Sequence, residues 1–187
     1  MEEDIKKAIE VLKAGGTIIY PSDTIWGIGC DATNFKAAQK IYNIKSRKGK
    51  SNFIVLVDRI EKISEYVSKL PDITMDLLDS IDFPTTVIYP GAKNLAKNVM
   101  AADGSIAIRV VKSGFSHELI KKFGKAIVST SANFSGEPAP VMFKDISKDM
   151  LKMVGYVTET GRTTLKEAKA STIIRLKPNG EFEIIRE

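Results

Sequence analysis

Thiol and imidazole are nearly absent from this chain: its 187 residues include one cysteine and one histidine. A lone thiol cannot close an intramolecular disulfide. Cys30 and His117 together leave too few ligands for a zinc site and little basis for a Cys–His dyad. Cys30 follows an apolar stretch, where a thiol acts as a small buried hydrophobe. His117 lies in the polar stretch Ser113-Gly-Phe-Ser-His117-Glu118 and is expected to be exposed at a helix start. No apolar run approaches membrane-spanning length, and the acidic opening Met1-Glu-Glu-Asp4 is unlike the basic start of a secretory signal. The expectation is a cytoplasmic protein with no membrane association. Internal repeats, low-complexity tracts and linkers are also missing, which fits one domain over 1–187.

What remains has the balance of a folded protein, with 43% hydrophobic and 27% charged residues. A net charge of +5 and a pI near 9.2 favour anionic partners such as nucleotide, phosphate or nucleic acid. An ordinary solvated surface explains most of those cations equally well. Ile5, Ala8, Ile9 and Leu12 form one apolar helical face that stops at Gly15-Gly16. Thr17–Tyr20, closed by Pro21, reads as a buried strand, and Asn34 to about Lys45 returns to helical spacing. Further strands are expected at Phe53–Val57, Thr86–Tyr89, Ile106–Arg109, Ala126–Ser129 and Ser171–Ile174. The alternating Glu181–Arg186 reads as an edge strand. The predicted class is α/β with a mixed twisted sheet flanked by helices.

In four segments polar residues abut apolar strands. The first is Tyr20-Pro-Ser-Asp-Thr-Ile-Trp-Gly-Ile-Gly29, where Ser22 and Thr24 sit at a strand's end, a usual ligand position in open α/β sheets. Gly27 and Gly29 permit positive φ or close backbone approach; an ordinary turn with Trp26 in the core uses the same residue types. The second, Lys45-Ser-Arg47-Lys48-Gly-Lys50-Ser51, is a charged loop that can hold a polyphosphate or simply a solvated helix end. The third, Ser129-Thr-Ser131-Ala-Asn133-Phe-Ser-Gly136, offers neutral donors and acceptors suited to a nucleotide's phosphate and sugar, in a run longer than a turn needs. The fourth is Arg109, a cation at the end of an apolar strand, costly to bury without an anion. That anion is either an acid of the chain or a ligand carboxylate, and Arg175 and Arg186 pose the same question.

Taken together in this order, the four segments resemble the YrdC-like family of threonylcarbamoyl-AMP synthases. Pro-Ser-Asp-Thr-x-Trp-Gly-x-Gly is similar to that family's Pro-Thr-Glu-Thr-x-Tyr-Gly-Leu-Gly. Lys45-Ser-Arg47 is similar to its Lys-x-Arg, and Ser131-Ala-Asn133-Phe-Ser-Gly136 to its Ser-Ala-Asn-x-Ser-Gly. The resemblance runs from Ala8 to Arg186 and is to the short, single-domain form. It implies a YrdC/RibB-like open twisted sheet with a deep basic cavity. ATP would be bound by Lys45, Arg47, Ser51, Ser105, Ser129, Ser131, Asn133 and Arg186, with Lys45 and Arg47 closest to the chemistry. Thr24, Arg109 and Ser171 would cradle threonine, Arg109 on its carboxylate. Mg²⁺ would accompany ATP, with no metal held by the protein itself.

The chain departs from the family at Lys48-Gly-Lys50-Ser51-Asn52-Phe53, where the usual prolines are missing and Ser51 replaces an Asn or Lys. Leu56 stands where some members have a threonine-contacting His, and Asp82-Phe-Pro84-Thr-Thr86 replaces a Pro-Gly-Pro-x-Thr entry. The implied reaction joins ATP, bicarbonate and L-threonine into threonylcarbamoyl-AMP and pyrophosphate, for a transfer complex that modifies tRNA. Two other readings are a carbamoyl-adenylate synthase and a non-catalytic factor binding double-stranded RNA or tRNA through its basic surface. The relatives in the first case carry zinc-finger cysteines that this chain lacks. For the second, no RRM-type or Arg-rich pattern is visible.

Overall fold

The computed structural model describes residues 1–45, 53–71, 73–164, 170–177 and 181–186. Helix α1 (Glu2–Lys13) ends just ahead of Gly15, as its apolar stripe predicts. β1 (Ile18–Pro21) turns back through residues 22–25 into β2 (Trp26–Asp31). α2 (Phe35–Ile44) begins at Asn34, whose side chain accepts the Ala37 amide at 3.0 Å and so satisfies one orphan helix donor. Then come β3 (Ile54–Val57), α3 (Ile63–Tyr66), α4 (Ile73–Ser80), β4 (Thr85–Tyr89) and β5 (Ile106–Val110). α5 (Gly114–Phe123), β6 (Ile127–Ser131), α6 (Lys148–Lys152), β7 (Tyr156–Val157), β8 (Thr172–Leu176) and β9 (Phe182–Arg186) complete the order.

All the strands join one nine-stranded mixed sheet in the order β7-β1-β2-β6-β3-β5-β4-β8-β9. The pairs β3–β5, β4–β8 and β1–β7 are parallel and the others antiparallel. β9 takes the edge position its alternating sequence suggested. Because side chains alternate along a strand, β1, β3 and β6 each feed two cores. Val55 and Val57 join α2, α3, α4 and α6 on one face, whereas Leu56 joins α1 and α5 on the other. The mixed sheet flanked by helices therefore has the predicted class. Among the described residues no helix is long and apolar enough to cross a membrane.

Three local features depart from the sequence reading. Trp26–Asp31, not among the expected strands, is a strand buried along its whole length, and Tyr156–Val157 adds a short outer strand. His117 is half-buried: its Nδ1 lies 2.8 Å from the Val111 carbonyl oxygen, which draws the ring back toward the sheet.

Asp4 is a buried anchor that no motif announced. Its carboxylate accepts the backbone amides of Glu159 at 3.0 Å and Thr160 at 2.6 Å, and also the Tyr156 and Thr160 hydroxyls. Burial alone would raise this carboxyl, but the hydrogen bonds from Thr160, Tyr156 and Glu159 outweigh it and hold Asp4 well below the usual carboxylate range. The folded value lies below the unfolded one, so the linked stability is complete above about pH 3.9 and is lost as pH falls toward the folded value. Asp4→Ala is expected to cost about 1.5–3 kcal/mol at pH 7. Thermal melts should show that difference shrinking as the pH drops below about 4; a difference independent of pH would contradict this anchor.

Candidate active site

On the face shared with α1 and α5, the sheet carries a cavity of about 390 Å³. A cross-strand row, Ser129–Ile54–Ala107–Ile88, forms its floor across β6, β3, β5 and β4. Polar groups rise from the same face two residues along the strands, Arg109 from β5 and Ser131 from β6. Ile108, between Ala107 and Arg109, and Val128, just before Ser129, are buried in the opposite core. Period-two patterning thus sets hydroxyls and a guanidinium over an apolar base.

The turn at 22–25 forms the rim and is tied to itself. Ser22 Oγ donates to the Ile25 carbonyl at 2.6 Å, accepts the Thr24 amide at 3.1 Å and lies 3.0 Å from Thr24 Oγ1. Across the cavity, Ser171 Oγ is 2.8 Å from Thr86 Oγ1, and Arg186 donates to the Ser171 carbonyl at 2.7 Å. Arg109 is 5% exposed; its Nη2 donates to Asp23 Oδ1 at 2.9 Å, while its buried Nε has no hydrogen-bond partner. Burial demands a counter-anion for Arg109, and Asp23 supplies one. The unused Nε leaves donor capacity for something else. Arg109 and Arg186 are the charged residues among the described cavity lining.

Gly27 and Gly29 turn out to serve close approach and not a left-handed backbone, since neither has positive φ. A Cβ on Gly29 would lie 2.4 Å from the Val128 carbonyl oxygen and 3.0 Å from the Tyr20 ring. One on Gly27 would lie 3.2 Å from Ser129 Oγ. The glycines make room for Tyr20, which is wholly buried and donates its hydroxyl to Ser129 Oγ at 2.8 Å.

Six of the predicted residues, Thr24, Arg109, Ser129, Ser131, Ser171 and Arg186, line this one cavity. Ser105 lines a neighbouring recess of about 50 Å³ that shares Ile88 and Ala107 with it, and its hydroxyl bonds Asp103 at 2.6 Å. Arg47 and Ser51 lie outside the described residues. Lys45 differs from the expected solvated loop: it is 1% exposed, and its ammonium donates to the Ser131 and Asn133 carbonyls, the latter at 2.8 Å, and to Asn133 Oδ1 at 3.3 Å. Ser135 Oγ returns a bond to the Lys45 carbonyl at 2.9 Å. Lys45 therefore latches the end of α2 to the turn after β6, directly behind Ser131. Asp23 and Tyr20 escaped the sequence reading. Asp23 is the one acid of the Tyr20–Gly29 segment, which was the available signal; Tyr20 looked like any apolar strand residue.

The Sua5/YciO/YrdC family, described as telomere recombination, matches residues 10–187. A relative from Pseudoalteromonas translucida named threonylcarbamoyl-AMP synthase is 30% identical over 183 residues, covering 93% of this chain and 98% of that protein. The crystal structure of P. abyssi Sua5 complexed with L-threonine superposes with a TM-score of 0.86 at 21% identity over 94% of this chain. E. coli YciO superposes at 0.85 with 22% identity, covering 100% of this chain and 90% of that one. These two likenesses concern the fold. The chain spans 52% of the length of that Sua5 chain.

The latch leads to a stability test. Lys45→Met keeps most of the side chain but leaves the Ser131 and Asn133 carbonyls without their donor. A loss of about 1–3 kcal/mol is expected, equivalent to several degrees in melting temperature for a chain of this size. A melt identical to the unsubstituted protein would return Lys45 to a solvated loop.

Proposed function

The chain belongs to the Sua5/YciO/YrdC family, and from that membership and the geometry of its cavity we propose that it is an L-threonylcarbamoyladenylate synthase. The observation that carries the reading is Arg109: a buried guanidinium whose Nε has no partner among the described residues, in a cavity also lined by hydroxyls, apolar groups and Arg186. Such a site suits a ligand with one carboxylate and several hydroxyl or phosphate oxygens. Threonine supplies the first and ATP the rest.

In this reading Arg109 binds the threonine carboxylate, with Thr24 and Ser171 about its other polar groups. Ser129, Ser131, Arg186, Ser105 and Asn133 serve the nucleotide, and Arg47 and Ser51 extend that site toward the phosphates. Lys45 supports it from behind through Ser131 and Asn133. The threonine amine takes up bicarbonate with loss of water to give a carbamate. A carbamate oxygen then attacks the α-phosphorus of ATP, and the bond to the β,γ-diphosphate breaks to release pyrophosphate. The acyl-adenylate formed is passed to the complex that modifies tRNA, in the cytoplasm. Holding two anions and a nucleophile in line contributes most in such transfers, and neutral hydroxyl donors with fixed cations meet that need without covalent help.

Mg²⁺ belongs to the nucleotide in this scheme. Among the described residues no cluster of three His, Cys, Asp or Glu side chains gathers, and the described cavity lining holds no carboxylate. The ion fits as a companion of ATP's own phosphate oxygens, where it offsets their charge.

Pyrophosphate release from ATP is expected to require threonine and bicarbonate together. Equal release with serine, or without bicarbonate, would replace this reading by a broader adenylating activity. Calorimetry with a non-hydrolysable nucleotide should separate the two halves of the cavity. Arg109→Ala should weaken threonine binding roughly ten- to a hundredfold, the value of a charge-assisted contact, and leave nucleotide binding nearly unchanged. Asn133→Ala should do the reverse. Threonine affinity untouched by Arg109→Ala, alongside a lowered melting temperature, would make Arg109 a purely structural partner of Asp23.

A further inference from the structure

Tyr20 lies beneath the cavity wall without lining it, and its hydroxyl has a single destination. The residue is wholly buried on β1, and its O–H meets Ser129 Oγ at 2.8 Å. A buried phenol must place its proton on an acceptor, and this one places it on a serine oxygen that faces the cavity. Serine hydroxyls carry one proton and two lone pairs. With a lone pair occupied by Tyr20 from below, the Ser129 proton is left to be donated on the cavity side.

The surroundings keep that arrangement in place. Ser129 Oγ sits between the Tyr20 hydroxyl and the Gly27 backbone, where even a methyl group would come within 3.2 Å. Burial pushes the phenol up from its ordinary range, so it remains a donor across neutral and alkaline pH. Arg109 is close enough for its charge to act on the same phenol, which puts the two donors of the cavity floor in one neighbourhood.

We propose that Tyr20 is a positioning residue: by donating to Ser129 it turns an ambivalent hydroxyl into a fixed donor aimed at an acceptor oxygen of the bound substrate. The group that takes this proton is a carboxylate, carbamate or phosphate oxygen. The Gly-x-Gly spacing of β2 follows from the same requirement, since a side chain at Gly27 would press on Ser129 and one at Gly29 on the Tyr20 ring. This inference rests on the synthase reading for its activity measurements and on the hydrogen bond alone for its spectroscopic one.

Tyr20→Phe removes only the hydroxyl and should lower the melting temperature by no more than a few degrees. It should reduce kcat/KM for pyrophosphate release about tenfold, with the substrate whose KM rises naming the oxygen that Ser129 touches. Ser129→Ala should cost at least as much. The double variant should be no worse than Ser129→Ala alone, because Tyr20 acts through Ser129. Equal losses from Tyr20→Phe in the two backgrounds, or no loss at all, would overturn the proposal. Gly27→Ala, whose methyl would press on Ser129 Oγ at 3.2 Å and touch the Tyr20 ring at 3.5 Å, should reproduce the kinetic defect.

The independent measurement is NMR of the ligand-free protein labelled on tyrosine. A slowly exchanging Tyr20 hydroxyl proton should show a cross-peak to the Ser129 β protons and should shift or broaden in Ser129→Ala. Its absence overturns the proposal whatever the kinetics show. If the unsubstituted protein released no pyrophosphate under any condition, the synthase reading would fail, and the cross-peak would still decide the role of Tyr20.

Discussion

A sheet that is covered on both faces cannot ordinarily hold a polar cavity, and that conflict shapes the molecule. Inner strands such as β3 and β6 send alternate residues into two cores, so any polar side chain on them is buried on one face or the other. The chain resolves this by letting α1 and α5 cover part of one face and leaving the rest to the cavity. On that open part, serines, threonines, Gly27, Ala107, Arg109 and Arg186 stand among isoleucines such as Ile54 and Ile88. The opposite face keeps Val55, Ile106, Ile108 and Val128 and supplies uninterrupted hydrophobic burial. Stability comes mainly from one face of the sheet, and the site occupies the other.

The buried charges obey the same constraint. Arg109 is neutralised by Asp23 yet keeps an unused Nε, which combines low desolvation cost with residual capacity to bind an anion. Lys45 is held by main-chain carbonyls and an amide oxygen around the turn after β6. Asp4 carries out the mirror-image task, with amide and hydroxyl donors that stabilise a carboxylate. In each case a single ionised side chain fastens segments distant in the chain.

These fastenings also explain why the polar residues of the site are small. Serine and threonine can accept from one side while donating to the other, so a layer of them transmits orientation from the buried strands to the ligand. Tyr20 to Ser129 and Thr86 to Ser171 are two such links, each joining segments distant in the chain. Larger amides or acids at these positions would fill the cavity or demand counter-charges of their own.

Much of this was legible in the residues alone. The helical stripe of Ile5, Ala8 and Leu12, the apolar runs of β3 to β6 and the edge character of β9 are all local, and each formed where periodicity placed it. The polar segments after apolar strands correctly marked the cavity's rim and wall. β2 escaped because its glycines carry no side-chain pattern, and strand preference is read from side chains. Other features belong only to the fold. Asp23 meets Arg109 across 86 residues, Tyr20 meets Ser129 across 109, and Asp4 meets Thr160 across 156. Sequence by itself determined which segments are helix or strand and which face of each is apolar, because those depend on backbone periods of a few residues. Tertiary structure alone decided which charge meets which, because that depends on strand order and register, where a shift of one residue turns every side chain to the opposite face.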